Sequence, residues 1–122
     1  MRTILAADDS ATMRQMISFC LKKAGYQVQE AVDGVDALAR LKTQQADLVI
    51  TDLHMPNLDG IQLIKQIRAL PSYRFTPILM LTTDASSARK AEGQAAGATG
   101  WIAKPGDSAS LVKLVGQLVP GL

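Results

Sequence analysis

The sequence predicts an α/β domain: a five-stranded parallel sheet with five helices spread over both of its faces. Three observations predict it. Short apolar runs recur along the chain at Thr3–Ala7, Gln27–Ala31, Leu48–Thr51, Ile78–Leu81 and Trp101–Ala103. A helical pattern follows each run, and strict β-α alternation at this spacing gives parallel pairing with crossover helices. Three of the five runs are solidly apolar, as expected of strands covered on both faces.

The elements follow in chain order. The run Gln27–Ala31 alternates, Val28 and Glu30 against Gln29 and Ala31, which predicts an edge strand. The first helix carries Met13, Met16, Ile17, Cys20, Leu21 and Ala24 at i, i+3, i+4 spacing, the signature of one buried stripe. Ser10 or Thr12 can cap its start and Gly25 stops it. The second helix is expected from about Gly34 to Lys42. The third spans Gly60 to Arg68, turns Ile61, Ile64 and Ile67 inward, and ends before Pro71. The fourth, Ser86 to Ala96, has alanines and Gly93 but no large apolar residue, so it is expected to pack weakly and move easily. The fifth, Ser108 to Val119, carries Leu111, Val112, Leu114, Val115 and Leu118, and Pro120 stops it.

Composition bounds the function. The 122 residues suit one domain spanning 1–122, with no linker, repeat or low-complexity segment. Apolar residues make up 48% and charged residues 20%, ordinary for a globular protein. Thirteen basic against 11 acidic residues leave a net charge of +2, too mild for a nucleic-acid partner. The single Cys20 excludes an internal disulfide, and its place on the first helix's stripe predicts a buried thiol. No apolar run approaches the length that spans a bilayer, so the expectation is a cytoplasmic monomer with no membrane insertion.

The chemistry gathers where strands end, the edge at which open parallel sheets bind ligands. The first strand delivers Asp8-Asp9-Ser10, the third Asp52-Leu53-His54, the fourth Thr82-Thr83-Asp84 and the fifth Lys104-Pro105. Three carboxylates brought together repel one another and call for a cation. Mg²⁺ is the small, hard ion that oxygen ligands of this kind hold. Asp9 and Asp52 are expected to supply two carboxylate oxygens and a backbone carbonyl a third, with Asp8 acting directly or through a second layer. A carboxylate can also accept a phosphoryl group as an acyl phosphate, and Asp52 is the candidate acceptor. The Lys104 ammonium would neutralise charge on the transferred group, and the Thr82 hydroxyl would donate to one of its oxygens. An Asp pair, a Lys-Pro or one strand-end Asp is weak evidence alone. Their joint occurrence at four of five strand ends is the signal.

These motifs resemble the response-regulator receiver domain over the full length of the chain. The resemblance rests on Asp8-Asp9-Ser10, the run from Thr51 through Asp52-Leu53-His54-Met55-Pro56 to Gly60, Leu81-Thr82-Thr83, Lys104-Pro105, and the approach Ala96-Gly97-Ala98-Thr99-Gly100-Trp101. It implies a flavodoxin-like fold with strand order 2-1-3-4-5. It implies that Asp52 takes phosphate from a histidine kinase, that Asp8 and Asp9 serve Mg²⁺, and that His54 offers the metal its backbone carbonyl. Thr82 would bind the phosphoryl group, Lys104 would pair with it, and Trp101 would be the aromatic switch that follows Thr82. His54 and Asp84 would tune the lifetime of the phosphoryl group. Among receivers the chain looks most like the single-domain chemotaxis regulators, which implies a chemotaxis-type kinase and a flagellar motor switch protein as partners. The output face would be the fourth helix, last strand and fifth helix, presenting Arg89, Lys90, Gln94, Trp101 and Lys113. Two positions depart from the family pattern: Ala7 stands where Val is usual, and Gly106 where a bulky apolar residue is commoner, which would loosen the start of the fifth helix.

Other classes fit less well. An Asp-nucleophile phosphatase needs a second Asp two residues on, where this chain has His54. A nucleotide-binding domain needs a glycine loop after a strand, and Gly93, Gly97 and Gly100 lack that spacing. A phosphate sink that drains a kinase without an effector shares all the same residues. The expectation is therefore a switch that catalyses only its own phosphorylation and dephosphorylation, not an enzyme acting on other substrates.

Overall fold

Five strands pair in one parallel sheet: β1 (Thr3–Ala7), β2 (Gln27–Ala31), β3 (Leu48–Thr51), β4 (Ile78–Thr82) and β5 (Gly100–Ala103). Their order is β2-β1-β3-β4-β5. This computed structural model describes residues 2–83, 86–103 and 108–119. The apolar runs take the interior: every residue of β3 and β4 is buried. The alternating run β2 takes an edge, with Gln27 exposed and only Ala31 fully buried.

Successive side chains of a strand point to opposite faces, so the sheet divides the core in two. Leu5, Val49 and Met80 face one side with Ala37, Leu41, Leu63, Ile64 and Ile67. Ile4, Ile50 and Leu79 face the other with Ile17, Leu21, Leu111 and Val115. The helices are α1 (Ala11–Lys23), α2 (Gly34–Thr43), α3 (Gly60–Arg68), α4 (Ser87–Ala96) and α5 (Ser108–Leu118), and all but α4 supply these residues.

Local chemistry fixes the helix starts. Ser10, not Thr12, caps α1 by accepting from the Met13 N–H at 3.3 Å. Asp33 caps α2 by accepting from the Asp36 N–H at 2.8 Å. Asp59 and Gln62 exchange hydrogen bonds in a capping box at the head of α3. Ser86 caps α4 from outside the helix rather than opening it. Gly97 ends α4 at a φ of 115°, a left-handed conformation that glycine reaches without a Cβ penalty.

Three expectations need correction. Cys20 is only half-buried. The inward stripe of α1 is narrower than its spacing suggests: Ile17, Ser18 and Leu21 are buried, Met13 and Met16 only partly, and Ala24 is an exposed residue beyond the helix end. Thr82 is the last residue of β4, not the first of the loop. A short 3₁₀ turn at Pro71–Tyr73 had no counterpart in the periodicity. The expected weakness of α4 is visible in its packing, since Gly93 is its one buried residue.

Two side chains tie the pole of the sheet away from the acidic residues. The Arg68 guanidinium donates to the Gly97, Tyr73 and Thr76 carbonyls at 2.7–3.1 Å, linking α3 to the turns before β4 and β5. The Tyr73 hydroxyl lies 2.7 Å from the Leu41 carbonyl and 2.8 Å from that of Gln44, at the end of α2.

Candidate functional site

The central strands β1 and β3 are neighbours, with Ala7 opposite Thr51. Each therefore ends at the same height and places its next residue on the same edge. Asp8 follows β1 and Asp52 follows β3, and the Asp52 N–H donates to the Ala7 carbonyl at 2.9 Å. Carboxylate oxygens of Asp8, Asp9 and Asp52 all lie within 4.8 Å of one another. Asp8 is 1% exposed and Asp52 9%, while Asp9 faces solvent.

The chain holds these carboxylates in place through its backbone. Asp8 accepts from the Ser10 N–H at 2.9 Å, and Asp52 from the Leu53 N–H at 2.8 Å. Arg14 donates to the Asp8 carbonyl at 2.7 Å and pairs with Glu30 at 3.5 Å, fixing the first loop to the edge strand. Gly60 admits the closest approach: a Cβ there would lie 2.2 Å from the Asp52 carbonyl oxygen. Between them, Leu53 and Met55 are buried and His54 is exposed, so the loop alternates across the site's rim.

Three hard oxygen donors, two of them buried, suit a divalent cation of the Mg²⁺ class. A carboxylate can also act as a nucleophile toward phosphorus once charge is neutralised. The remaining expected residues divide. Thr82 is fully buried at the end of β4, and Ala103 stands opposite it at the end of β5. Trp101 is half-buried, opposite Met80. Its indole lies against α4, where a Cβ on Gly93 would fall 2.4 Å from Trp101 Cζ3. Beside it, a cavity of about 270 Å³ is lined by Lys90, Gln94, Ala98, Thr99, Gly100 and Trp101. Lys104, Asp84 and Gly106 lie outside the described residues.

The sequence matches the model of the response regulator receiver domain over residues 4–116. The chain belongs to that family. It is similar to the chemotaxis protein CheY-3 of Vibrio cholerae, 41% identical over 109 residues covering 88% of this chain and 84% of that protein. The crystal structure of V. cholerae CheY4 superposes with a TM-score of 0.94 at 44% identity, covering 98% of this chain and 99% of that one. The receiver domain of the sensor kinase PA1611 from Pseudomonas aeruginosa, solved with a magnesium ion in its active-site cleft, superposes with a TM-score of 0.89 at 29% identity over 96% of each chain. This receiver is thus close to the CheY chemotaxis regulators, and its sheet order and helices are those of the CheY-like flavodoxin fold.

Sequence reasoning passed over Asp33, Asn57 and Arg14. Asn57 donates to Asp33 across 24 positions of chain, and Arg14 pairs with Glu30 across two elements. No local spacing signals such bonds. Only the fold brings the partners together.

Proposed function

We propose that this receiver is a phosphorylation-driven switch of a two-component chemotaxis system, with Asp52 as the phosphoryl acceptor. The carboxylate trio carries this reading: Asp52 is buried, oriented by its bond from Leu53, and held beside two further carboxylates. Asp8, Asp9 and Asp52, with the His54 carbonyl, would hold Mg²⁺. When bound, that ion supplies the charge neutralisation which phosphoryl transfer chiefly requires.

The residues then divide the work. A carboxylate oxygen of Asp52 attacks the phosphorus of a phosphohistidine. The bond from phosphorus to the imidazole nitrogen breaks, and the imidazole leaves with its electron pair and regains a proton. Lys104 pairs with the new phosphoryl group and Thr82 donates its hydroxyl to it. Trp101 follows Thr82, into or out of its seat on α4. His54 and Asp84 flank the path of water to the acyl phosphate and set its lifetime. The chain acts on no substrate but its own Asp52, as one receiver domain in the cytoplasm.

A phosphoryl group shifts a two-state equilibrium only through contacts that differ between the states. The thin packing of α4 and the cavity beside Trp101 support such a second state. The face bearing Arg89, Lys90, Gln94, Trp101 and Lys113 would then bind its target, a flagellar motor switch protein by likeness to the CheY proteins. The donor would be a chemotaxis-type histidine kinase.

The test is a titration with Mg²⁺ and then beryllofluoride, an acyl-phosphate mimic, read by fluorescence of Trp101, the only tryptophan. A Mg²⁺-dependent change is expected, and Asp52→Asn is expected to lose it along with labelling by a small phosphodonor. Label appearing on Asp52→Asn would refute the acceptor. Phosphorylation with a silent Trp101 would refute the switch and point to a phosphate sink.

A further inference from the structure

The loop from Leu53 to Asp59 carries His54 and belongs to no element, with His54, Pro56 and Asn57 exposed. Two contacts fasten it to the turn between β2 and α2. Asn57 Nδ2 donates to Asp33 Oδ2 at 2.9 Å. One residue on, the backbone of Leu58 presses on Gly34, where a Cβ would lie 2.4 Å from the Leu58 oxygen. Asn57 sits at a φ of 71°, the one non-glycine residue in the left-handed region among the described residues. Asn tolerates that region better than most residues, but Gly would serve the turn alone. The side chain therefore has a second task beyond permitting the turn.

Asp33 is prepared for it. Its other oxygen caps α2 through the Asp36 N–H at 2.8 Å, so its carboxylate cannot swing away from Asn57. The Asp36 N–H bond first, and then the Asn57 amide, hold its carboxyl below the usual carboxylate range. The bond joins two loops that lie 24 positions apart in the chain.

We propose that Asn57 is a positioning residue: its bond to Asp33 holds the loop in the conformation that presents the His54 carbonyl to the metal. The inference rests on the reading of Asp8, Asp9 and Asp52 as a Mg²⁺ site. Asp33 and Asn57 touch neither the ion nor the phosphoryl group in this scheme. They set how much loop ordering must accompany ion binding, and ordering opposes affinity.

The experiment is Mg²⁺ titration by calorimetry on the full chain, with thermal melting alongside. N57G keeps the turn and the net charge but removes the bond. It is expected to bind Mg²⁺ about three- to tenfold more weakly, as befits a lost hydrogen bond to an exposed charged group. D33N/N57D keeps the net charge and restores the bond with donor and acceptor exchanged, because Asn caps a helix as well as Asp does. It is expected to bind within about twofold of the wild type, a rescue that no purely structural role of the turn predicts. D33S keeps a cap but is too short to reach Asn57, and is expected to bind more weakly than D33N, which has the same charge. Wild-type affinity in both N57G and D33S would overturn the inference and leave the metal site standing. So would a D33N/N57D protein as weak as N57G. A wild-type chain without affinity for Mg²⁺ would overturn both.

Discussion

A single missing side chain decides where the tryptophan sits. Gly93 is buried, and the Trp101 indole fills the space that a Cβ there would need, 2.4 Å from Cζ3. Gly93→Ala sets two effects against each other. Alanine favours a helix interior over glycine by up to about 1 kcal/mol. The methyl group also has to displace the ring, which forfeits its packing on α4. Stability is expected to stay within about 1 kcal/mol of the wild type while Trp101 emission shifts to the red. An unshifted spectrum would show that the ring is not seated on Gly93. The same residue scale explains the half-exposed Cys20. It lies at the edge of a stripe whose buried members are Ile17, Ser18 and Leu21, and a thiol one helical position off centre reaches only partway in.

Elements are joined unevenly. The strand β4 is buried along its length, whereas α4 rests on the rest of the fold through Gly93 and the half-buried Ala96. What keeps α4 in register is its end. The Arg68 guanidinium, donated from the last turn of α3, takes the Gly97 carbonyl with both Nε and Nη2, at 3.1 and 2.8 Å. Burial lowers its pKa from the ordinary arginine value. Arg68→Met keeps the aliphatic stem and leaves the Gly97, Tyr73 and Thr76 carbonyls short of a donor. A loss of about 2 kcal/mol is expected in urea denaturation, the usual cost of stranding partly buried polar groups. A loss below about 0.5 kcal/mol would mean that water replaces the guanidinium.

At the scale of the whole molecule, the two poles of the sheet have different duties. One gathers the carboxylates; the other closes the fold through Arg68 and Tyr73. The Tyr73 hydroxyl, buried between the Leu41 and Gln44 carbonyls, has its pKa raised, chiefly by burial and further by the Asp47 charge. Its native pKa exceeds the unfolded value of 10.0, so above pH 10 the unfolded chain loses that proton first and stability falls as pH rises. Tyr73→Phe is expected to cost about 1 kcal/mol at neutral pH and to flatten the alkaline fall. An unchanged alkaline slope would assign the fall to other groups. Much of this plan was legible in the sequence. Solid apolar runs mark β1, β3 and β4, polar alternation marks β2 as an edge, and an acid directly after an apolar run marks a strand end. What stayed hidden depends on distant partners. Neither Tyr73 with Leu41 nor Asn57 with Asp33 follows from any periodicity, because each bond exists only after the strands have taken their order.

The acidic corner also has a thermodynamic meaning. Asp8 and Asp52 are far apart in the chain and meet only because β1 lies beside β3. An unfolded chain therefore offers a divalent ion no such cluster, and an ion that binds there is a ligand of the native state alone. Its concentration then becomes a variable of folding. Above the dissociation constant, each tenfold rise in Mg²⁺ is expected to add about 1.4 kcal/mol to the unfolding free energy. Melting temperature would climb with the logarithm of Mg²⁺ concentration, and Ca²⁺, which tolerates looser geometry, would trace a separate line. A melting curve indifferent to both ions would mean that the corner binds neither. Otherwise, for this receiver, the ionic composition of its surroundings would set how stable the folded chain is as well as whether it can accept a signal.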